Sequence, residues 1–310
     1  MSRILVLGAG SIGRLTATRL VAAGHEVDLA SRSGSTSVEG ARTVGLDVTD
    51  VDATRAAVAG TDAVVNAMNP AKYTTWDRDW PPMARSVQAA VEAAGGRVVL
   101  VGNLYAYGRV QAPMSERTPL RPHGHKGELR RTMWEDLEAA DRAGRLRAVE
   151  LRASDYYGPG VANGTSYLND YVVEPAATKS TVRLVIGSPD VAHSWTHLDD
   201  IAALAAAVAV CADDDVWGRP WMVPSESATL REVAERVAAL RGRPQPRVVE
   251  LAGVARAALR VLPFMRELDE TRHQFEAPFL VDDTDARARF GLQPVPLDVG
   301  LKATVEDLLG

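Results

Sequence analysis

The residues best placed to do chemistry are three glycines and their neighbours near the start of the chain. Gly8, Gly10 and Gly13 follow directly on the aliphatic run Ile4 to Leu7 and open a helix-compatible stretch at Ser11. A strand-to-helix turn of this spacing leaves the first N–H groups of the helix unpaired, where they can hold phosphate. Gly8 permits the sharp turn, Gly10 leaves room for a pyrophosphate against backbone, and Gly13 lets the helix approach the strand. The pattern predicts a dinucleotide cradle at Gly8, Gly10, Ser11, Ile12 and Gly13. The segment Ala9-Gly10-Ser11-Ile12-Gly13 is also similar to a nucleophile elbow with Ala for its first glycine. Such elbows sit deep in a chain, so Ser11 reads as a helix-start residue beside phosphate.

A second group speaks to which dinucleotide. The strand Glu26 to Ala30 ends in Ser31-Arg32-Ser33. Where an NAD site places a carboxylate on the ribose 2′-hydroxyl, this chain places Ser31, followed by Arg32. A guanidinium beside hydroxyls suits a 2′-phosphate, so the expected cofactor is NADP(H). Asp28 lies inside the strand and is read as pointing elsewhere. Asp47 and Val48, after the third strand, are expected beside the adenine. Asn66, Ala67 and Met68, after the fourth, are expected under the ribose and nicotinamide.

The elements that must position these residues alternate. Strands are predicted at 3–7, 26–30, 43–46, 63–66, 97–101 and 147–152, with helices at 11–23, 51–59, 82–94 and 127–143. This alternation implies an α/β fold, a Rossmann-type doubly wound parallel sheet covered on both faces. Near Asp155 the pattern changes to shorter elements punctuated by Pro and Gly. Residues 1–155 are therefore read as the dinucleotide-binding domain. Residues 156–310 are read as a smaller C-terminal substrate-binding or lid domain with some segments returning to the sheet. Helices are expected at 201–212 and 230–240, and two more in 252–275, broken at Pro263 and carrying Arg256, Arg260, Arg266 and Arg272.

Composition agrees with a globular protein: 310 residues, 46% hydrophobic and 24% charged. A net charge of −5 argues against a nucleic-acid or anionic-membrane surface. One cysteine, Cys211, excludes a disulfide framework and is read as a core residue of a helix. The apolar run at 201–212 is too short to span a bilayer, and no basic-then-apolar leader precedes the first strand. A cytoplasmic protein is expected.

Further signatures then stand in register. Leu46 to Asp50 reads LDVTD, Val98 to Gly108 reads VVLVGNLYAYG, Arg152 to Gly160 reads RASDYYGPG, and Trp195 to Ile201 reads WTHLDDI. Together with the glycine turn, the chain resembles the extended short-chain dehydrogenase/reductases, the superfamily of nucleotide-sugar epimerases and dehydratases. The resemblance covers most of the chain and implies a nicotinamide-dependent enzyme. That family uses a Ser or Thr after the fifth strand and a Tyr-x-x-x-Lys pair on the next helix. The hydroxyl orients a carbonyl, the Tyr handles the proton, and the Lys holds the ribose and lowers the Tyr pKa. Here the Ser/Thr position reads Asn103, and no Tyr is followed four residues later by Lys. Aligning Glu135 with the family's helix glutamate puts Gly127 and Arg131 in the Tyr and Lys positions. Keeping Lys126 instead puts Pro122 in the Tyr position. The chain reads as an atypical member.

The expected catalytic set is Asn103, Tyr105, Tyr107 and Lys126, with Tyr156, Tyr157, His123 and His125 as further candidate donors. No metal site is expected. His193 and His197 lie in strand or loop, and Asp282, Asp283 and Asp285 read as caps of the last helix. Asp200 is also read as a helix cap. Trp76, Trp80, Trp195 and Phe264 are candidates for an aromatic wall. The expected function is an NADPH-dependent ketoreductase of a small or medium carbonyl compound, with unusual proton delivery. A non-catalytic NADP(H)-binding sensor and a sugar-nucleotide epimerase-like enzyme are the alternatives.

Overall fold

Branched-aliphatic strands alternating with helices build a seven-stranded, all-parallel sheet. Its strands are β1 (Arg3–Leu7), β2 (Glu26–Ser31), β3 (Arg42–Gly45), β4 (Ala63–Asn66), β5 (Arg97–Asn103), β6 (Arg147–Ala153) and β10 (Arg219–Met222). Their order is β10-β6-β5-β4-β1-β2-β3, so the winding reverses between β1 and β4. In open α/β sheets ligands bind beside the strand ends at such a reversal. The computed structural model describes all residues except 71, 252 and 254–262, and the side chains of 263–266.

Period-two alternation sends neighbouring side chains to opposite faces. Ile4 and Val6 pack beneath α1 (Ser11–Ala22) and α6 (Leu198–Ala209). Leu5 and Leu7 pack beneath α2 (Val51–Val58), α3 (Trp76–Ala94) and α4 (His125–Arg142). Both layers are apolar, and each fully buried aliphatic contributes about 1.5–3 kcal/mol. The second half of the chain supplies α6 and β10 to this body. Helix Thr284–Phe290 also packs on this body through Ala286 and Phe290, and most of the remaining elements form a smaller unit with its own apolar cluster. That unit contains β7 (Asp155–Tyr157), β8 (Thr181–Leu184), β9 (Ala192–His197), β11 (Glu226–Thr229) and β12 (Arg247–Glu250). These pair as a β11-β9-β7 sheet and a β12-β8 ribbon, beside α5 (Glu174–Thr178) and α7 (Leu230–Leu240). A helix at Pro263–Thr271 approaches the N-terminus of α4.

Several sequence expectations shift. Helix α3 starts at Trp76, six residues early, with Pro81 and Pro82 inside it. Trp76 and Trp80, one turn apart and fully buried, anchor that first stretch despite the missing N–H donors. Helix α6 starts at Leu198 and ends at Ala209, so Cys211 lies beyond it and is half-buried. His197, not Asp200, caps α6. The Asp200 carboxylate instead accepts the N–H of Val295, and burial pushes its pKa up to about 7. Asp282, Asp283 and Asp285 stand at the start of helix Thr284–Phe290, the last but one. Asp282 Oδ1 accepts the Thr284 N–H, while Asp283 bonds the Ser225 N–H instead. Pro263 opens the described helix, and the expected helix before it lies outside the described residues. Among the described residues no helix is long and apolar enough to cross a membrane.

Candidate active site

The glycine turn is set by close backbone approach. Gly8 has φ +99°, and a Cβ there would sit 2.8 Å from the Ala67 carbonyl oxygen. A Cβ at Gly13 would sit 1.8 Å from the Gly8 carbonyl oxygen. Neither position admits a side chain without breaking the turn. Gly10 differs: nothing lies within 4 Å of where its Cβ would be. The fold therefore does not demand glycine at position 10. The bare backbone leaves open space in front of α1, whose N-cap Gly10 offers no side-chain acceptor. This is the cradle a pyrophosphate needs. Ser11 does not face it freely, because its Oγ donates to the Gly160 carbonyl at 2.5 Å.

At the end of β2, Ser31 Oγ accepts the Gly34 N–H, and Arg32 is exposed. Asp47 Oδ1 accepts the Thr49 N–H and hydroxyl at 3.0 and 2.8 Å. Those bonds first, and the charge of Arg32 last, hold its carboxyl below the usual range. Val48 is buried. Asn66 Oδ1 accepts the Met68 N–H at 3.2 Å and turns the chain after β4.

Ile12, Ala67 and Met68 form one wall of a cavity of about 120 Å³ at the strand ends. Asn103, Tyr105, Tyr73, Arg130, Asp155 and Tyr156 form much of the rest. Asn103 Oδ1 accepts the Tyr105 N–H at 3.1 Å, so its amide nitrogen is the atom left to donate. The phenol oxygens of Tyr73 and Tyr105 lie 3.2 Å apart. Burial, more than any neighbour, pushes Tyr73 up to about 12 and Tyr105 well above its ordinary value. Arg130 opposes both shifts. Its guanidinium is buried over the rings of Trp76 and Trp80 at 4.8 and 4.6 Å. Nη2 donates to Asn69 Oδ1 at 3.3 Å, while Nε and Nη1 are buried without a partner. Gln274 Nε2 and Ser154 Oγ are likewise buried, unpartnered, and on residues lining this cavity. Asp155 is held from behind by His193, whose Nε2 lies 2.9 Å from Asp155 Oδ2 and whose Nδ1 lies 3.1 Å from the Gln274 carbonyl.

The model of the NAD dependent epimerase/dehydratase family matches residues 4–221, well over half of the chain. The chain belongs to that family. Solved structures of similar fold include the UDP-glucose 4-epimerase of Thermotoga maritima with UDP-glucose (18% identity, 99% of this chain and 98% of that one, TM-score 0.77). The UDP-glucuronic acid 4-epimerase of Bacillus cereus with UDP-glucuronic acid and NAD is 15% identical, over 99% and 98%, with TM-score 0.78. The dTDP-glucose 4,6-dehydratase of Bacillus anthracis with NAD is 15% identical, over 99% and 96%, with TM-score 0.78. A comparison with curated proteins finds no match.

Helix α4 contains no tyrosine. Neither alignment from sequence identifies its cavity-facing residue, which is Arg130. Gly127 packs against the turn after β5, where a Cβ would lie 2.7 Å from the Tyr105 carbonyl oxygen. Arg131 turns outward to Glu128 and Glu135. Lys126 does not line the cavity. Its side chain is 1% exposed, and Nζ lies 2.6 Å from the Glu267 carboxylate and 3.4 Å from Glu270 and donates to the Glu267 carbonyl. The expectation that Lys126 is catalytic is therefore corrected: it ties α4 to helix Pro263–Thr271. His125 joins this cluster through Glu270 at 2.8 Å. His125, Glu267 and Glu270 present ligand atoms within 4.8 Å of one another, and the Lys126 ammonium already sits on both carboxylates.

Tyr107 is corrected too. It is 1% exposed, donates to the Ser115 carbonyl at 2.9 Å, and accepts from Arg152, which pairs with Glu150. Of the paired tyrosines, Tyr156 lines the cavity and Tyr157 lies in the core. His123 meets His273 edge to face, ring centroids 5.0 Å apart. Of the expected aromatic wall, Trp76 lines the cavity and Trp80 packs beneath Arg130. Trp195 belongs to the core and donates to the Ala228 carbonyl, and the Phe264 side chain lies outside the described residues. Sequence reasoning missed Tyr73, Arg130, Asp155 and Gln274. A one-position shift of the family spacing, Lys126-x-x-x-Arg130, was the available signal.

Proposed function

We propose that this protein is an NADP(H)-dependent ketoreductase acting on a small or medium carbonyl compound without phosphate groups. The observation that carries this reading is that the wall formed by Ile12, Ala67 and Met68 meets Asn103 and Tyr105 in one cavity. The residues present suit the coenzyme, because the space a Cβ at Gly10 would fill is open and faces a helix N-terminus. Gly8, Gly13 and the start of α1 would hold its pyrophosphate, and Ser31 and Arg32 its 2′-phosphate. When bound, the nicotinamide supplies or takes back hydride. Asn103 points an amide donor at the carbonyl oxygen, where negative charge develops. Its orientation is preset by the bond from Tyr105 N–H.

A nucleotide-sugar epimerase is the second reading, supported by the family and by the sugar nucleotides held in the similar structures. The described cavity lining supports it less. Among those residues Arg130 is the one guanidinium, and it lies over the rings of Trp76 and Trp80. A diphosphate calls for several cationic or N–H partners. A nicotinamide-responsive sensor is the third reading, favoured by the missing Tyr-x-x-x-Lys pair.

Incubating the protein with NADPH or NADH and a panel of aryl ketones, quinones and UDP-sugars separates the three. Ketoreductase activity predicts oxidation of NADPH with a ketone or quinone. Interconversion of a UDP-sugar without net coenzyme oxidation would establish the second reading. Saturable coenzyme binding with no turnover would establish the third.

A further inference from the structure

We propose that Tyr105 is the proton donor of this cavity and that the charge of Arg130 tunes it, a phenol–guanidinium couple assembled from the turn after β5 and from α4. The inference rests on the ketoreductase reading and names the residues that complete its chemistry. Tyr105 is fixed at both ends: its N–H donates to Asn103 Oδ1 at 3.1 Å, and its hydroxyl meets that of Tyr73 at 3.2 Å. Asn103 and Tyr105 therefore present an amide donor and a phenol from one turn, as carbonyl activation requires. Arg130 is 4% exposed, with Nε and Nη1 unpartnered. Leaving charged donors buried and unsatisfied is costly, and it marks a place where an oxygen acceptor belongs.

The charged and titratable groups acting on Tyr105 are Tyr73 from the turn before α3, Asp155 from β7 and Arg130 from α4. Burial, Tyr73 and Asp155 keep the proton on the phenol, and Arg130 favours the phenolate left behind. Tyr105 thus begins neutral with a proton to give. With a bound reduced coenzyme to supply hydride to the carbonyl carbon, the Tyr105 O–H bond would break and a new O–H bond would form on the substrate oxygen. The substrate is reduced to the alcohol and the coenzyme is oxidised. The phenolate is stabilised by Arg130 and recovers its proton from water through the Tyr73 hydroxyl.

Two measurements on the full chain test this. Tyr105→Phe should lower kcat for ketone reduction by about 10²–10⁴-fold while NADPH binding, read by nicotinamide fluorescence, stays unchanged. Arg130→Met should lower kcat, and Arg130→Lys, which keeps the charge, should recover most of it. The second measurement needs no turnover. 3,5-Difluorotyrosine is installed at position 105 and its ionisation is followed by absorbance. Arg130→Met should raise the midpoint by about one pH unit, because an opposite charge that stabilised the phenolate is gone. Arg131→Met, one residue along and outward-facing, should leave it in place. A Tyr105→Phe enzyme within about threefold of wild type, or a midpoint indifferent to Arg130→Met, would overturn the couple. Turnover with an unshifted midpoint rejects the couple and keeps the ketoreductase. A shifted midpoint with no ketone reduced rejects the ketoreductase and keeps the couple.

Discussion

At the glycine turn, Gly8 and Gly13 are held by backbone atoms of the same turn and of the segment after β4. In the cavity beside it, Tyr73, Asn103, Arg130 and Asp155 arrive from four separate segments. The first end cannot change without losing the turn. The second can be rebuilt while every strand stays in place. That difference is consistent with a chain 15–18% identical to three sugar-nucleotide enzymes sharing their fold.

The largest effect should come from the rigid end. Gly13→Val sets a Cβ against the Gly8 carbonyl, so we expect no saturable NADPH binding and a loss of more than about 3 kcal/mol in urea unfolding. Gly10→Val should leave unfolding within about 0.5 kcal/mol yet weaken NADPH binding at least about tenfold. If Gly10→Val binds coenzyme like wild type, the open space in front of α1 is not the phosphate cradle.

Lys126→Met comes next. It strips the ammonium from Glu267 and Glu270, both largely buried. Breaking a buried pair by removing one partner typically costs about 3–5 kcal/mol, and partial exposure of the carboxylates puts this case near the lower figure. NADPH affinity should hold, and a collapse of NADPH affinity at unchanged stability would return Lys126 to the site. Tyr107→Phe should cost about 1–2 kcal/mol through its lost bonds to Ser115 and Arg152, with ketone reduction nearly intact. Its loss of activity would make the second phenol of the loop catalytic after all.

The smallest effect concerns coenzyme choice. Arg32→Asp should move preference from NADPH toward NADH by about tenfold, or about 1.4 kcal/mol. An unchanged ratio would show that the exposed guanidinium at the end of β2 does not hold the 2′-phosphate.

The sheet was legible because its cause is local: the aliphatic runs Ile4 to Leu7, Ala63 to Val65 and Val98 to Val101, and glycines at fixed offsets. The far side of the cavity was legible in part, at Asn103, Tyr105, Tyr156 and Trp76. Arg130 escaped because helical phase, not residue type, decides which of Lys126, Gly127, Arg130 and Arg131 faces inward. One position is about 100° of rotation, enough to exchange a cavity residue for one that pairs with Glu128 and Glu135 outside it. Gly127 sets that phase by packing on the Tyr105 carbonyl, a contact between segments 22 residues apart. Asp155 escaped because its role depends on His193, 38 residues later. Tyr107 misled because a tyrosine beside a strand end reads the same whether it faces solvent or, as here, a buried arginine.

The most direct test follows the hydride itself. NADPH deuterated at C4 is incubated with an aryl ketone and either wild-type protein or Tyr105→Phe, and the alcohol is analysed by mass spectrometry. The account predicts deuterium on the carbinol carbon with wild type and a far slower appearance with Tyr105→Phe. Saturable NADPH binding without label in any product, or label appearing equally fast in both proteins, would contradict it.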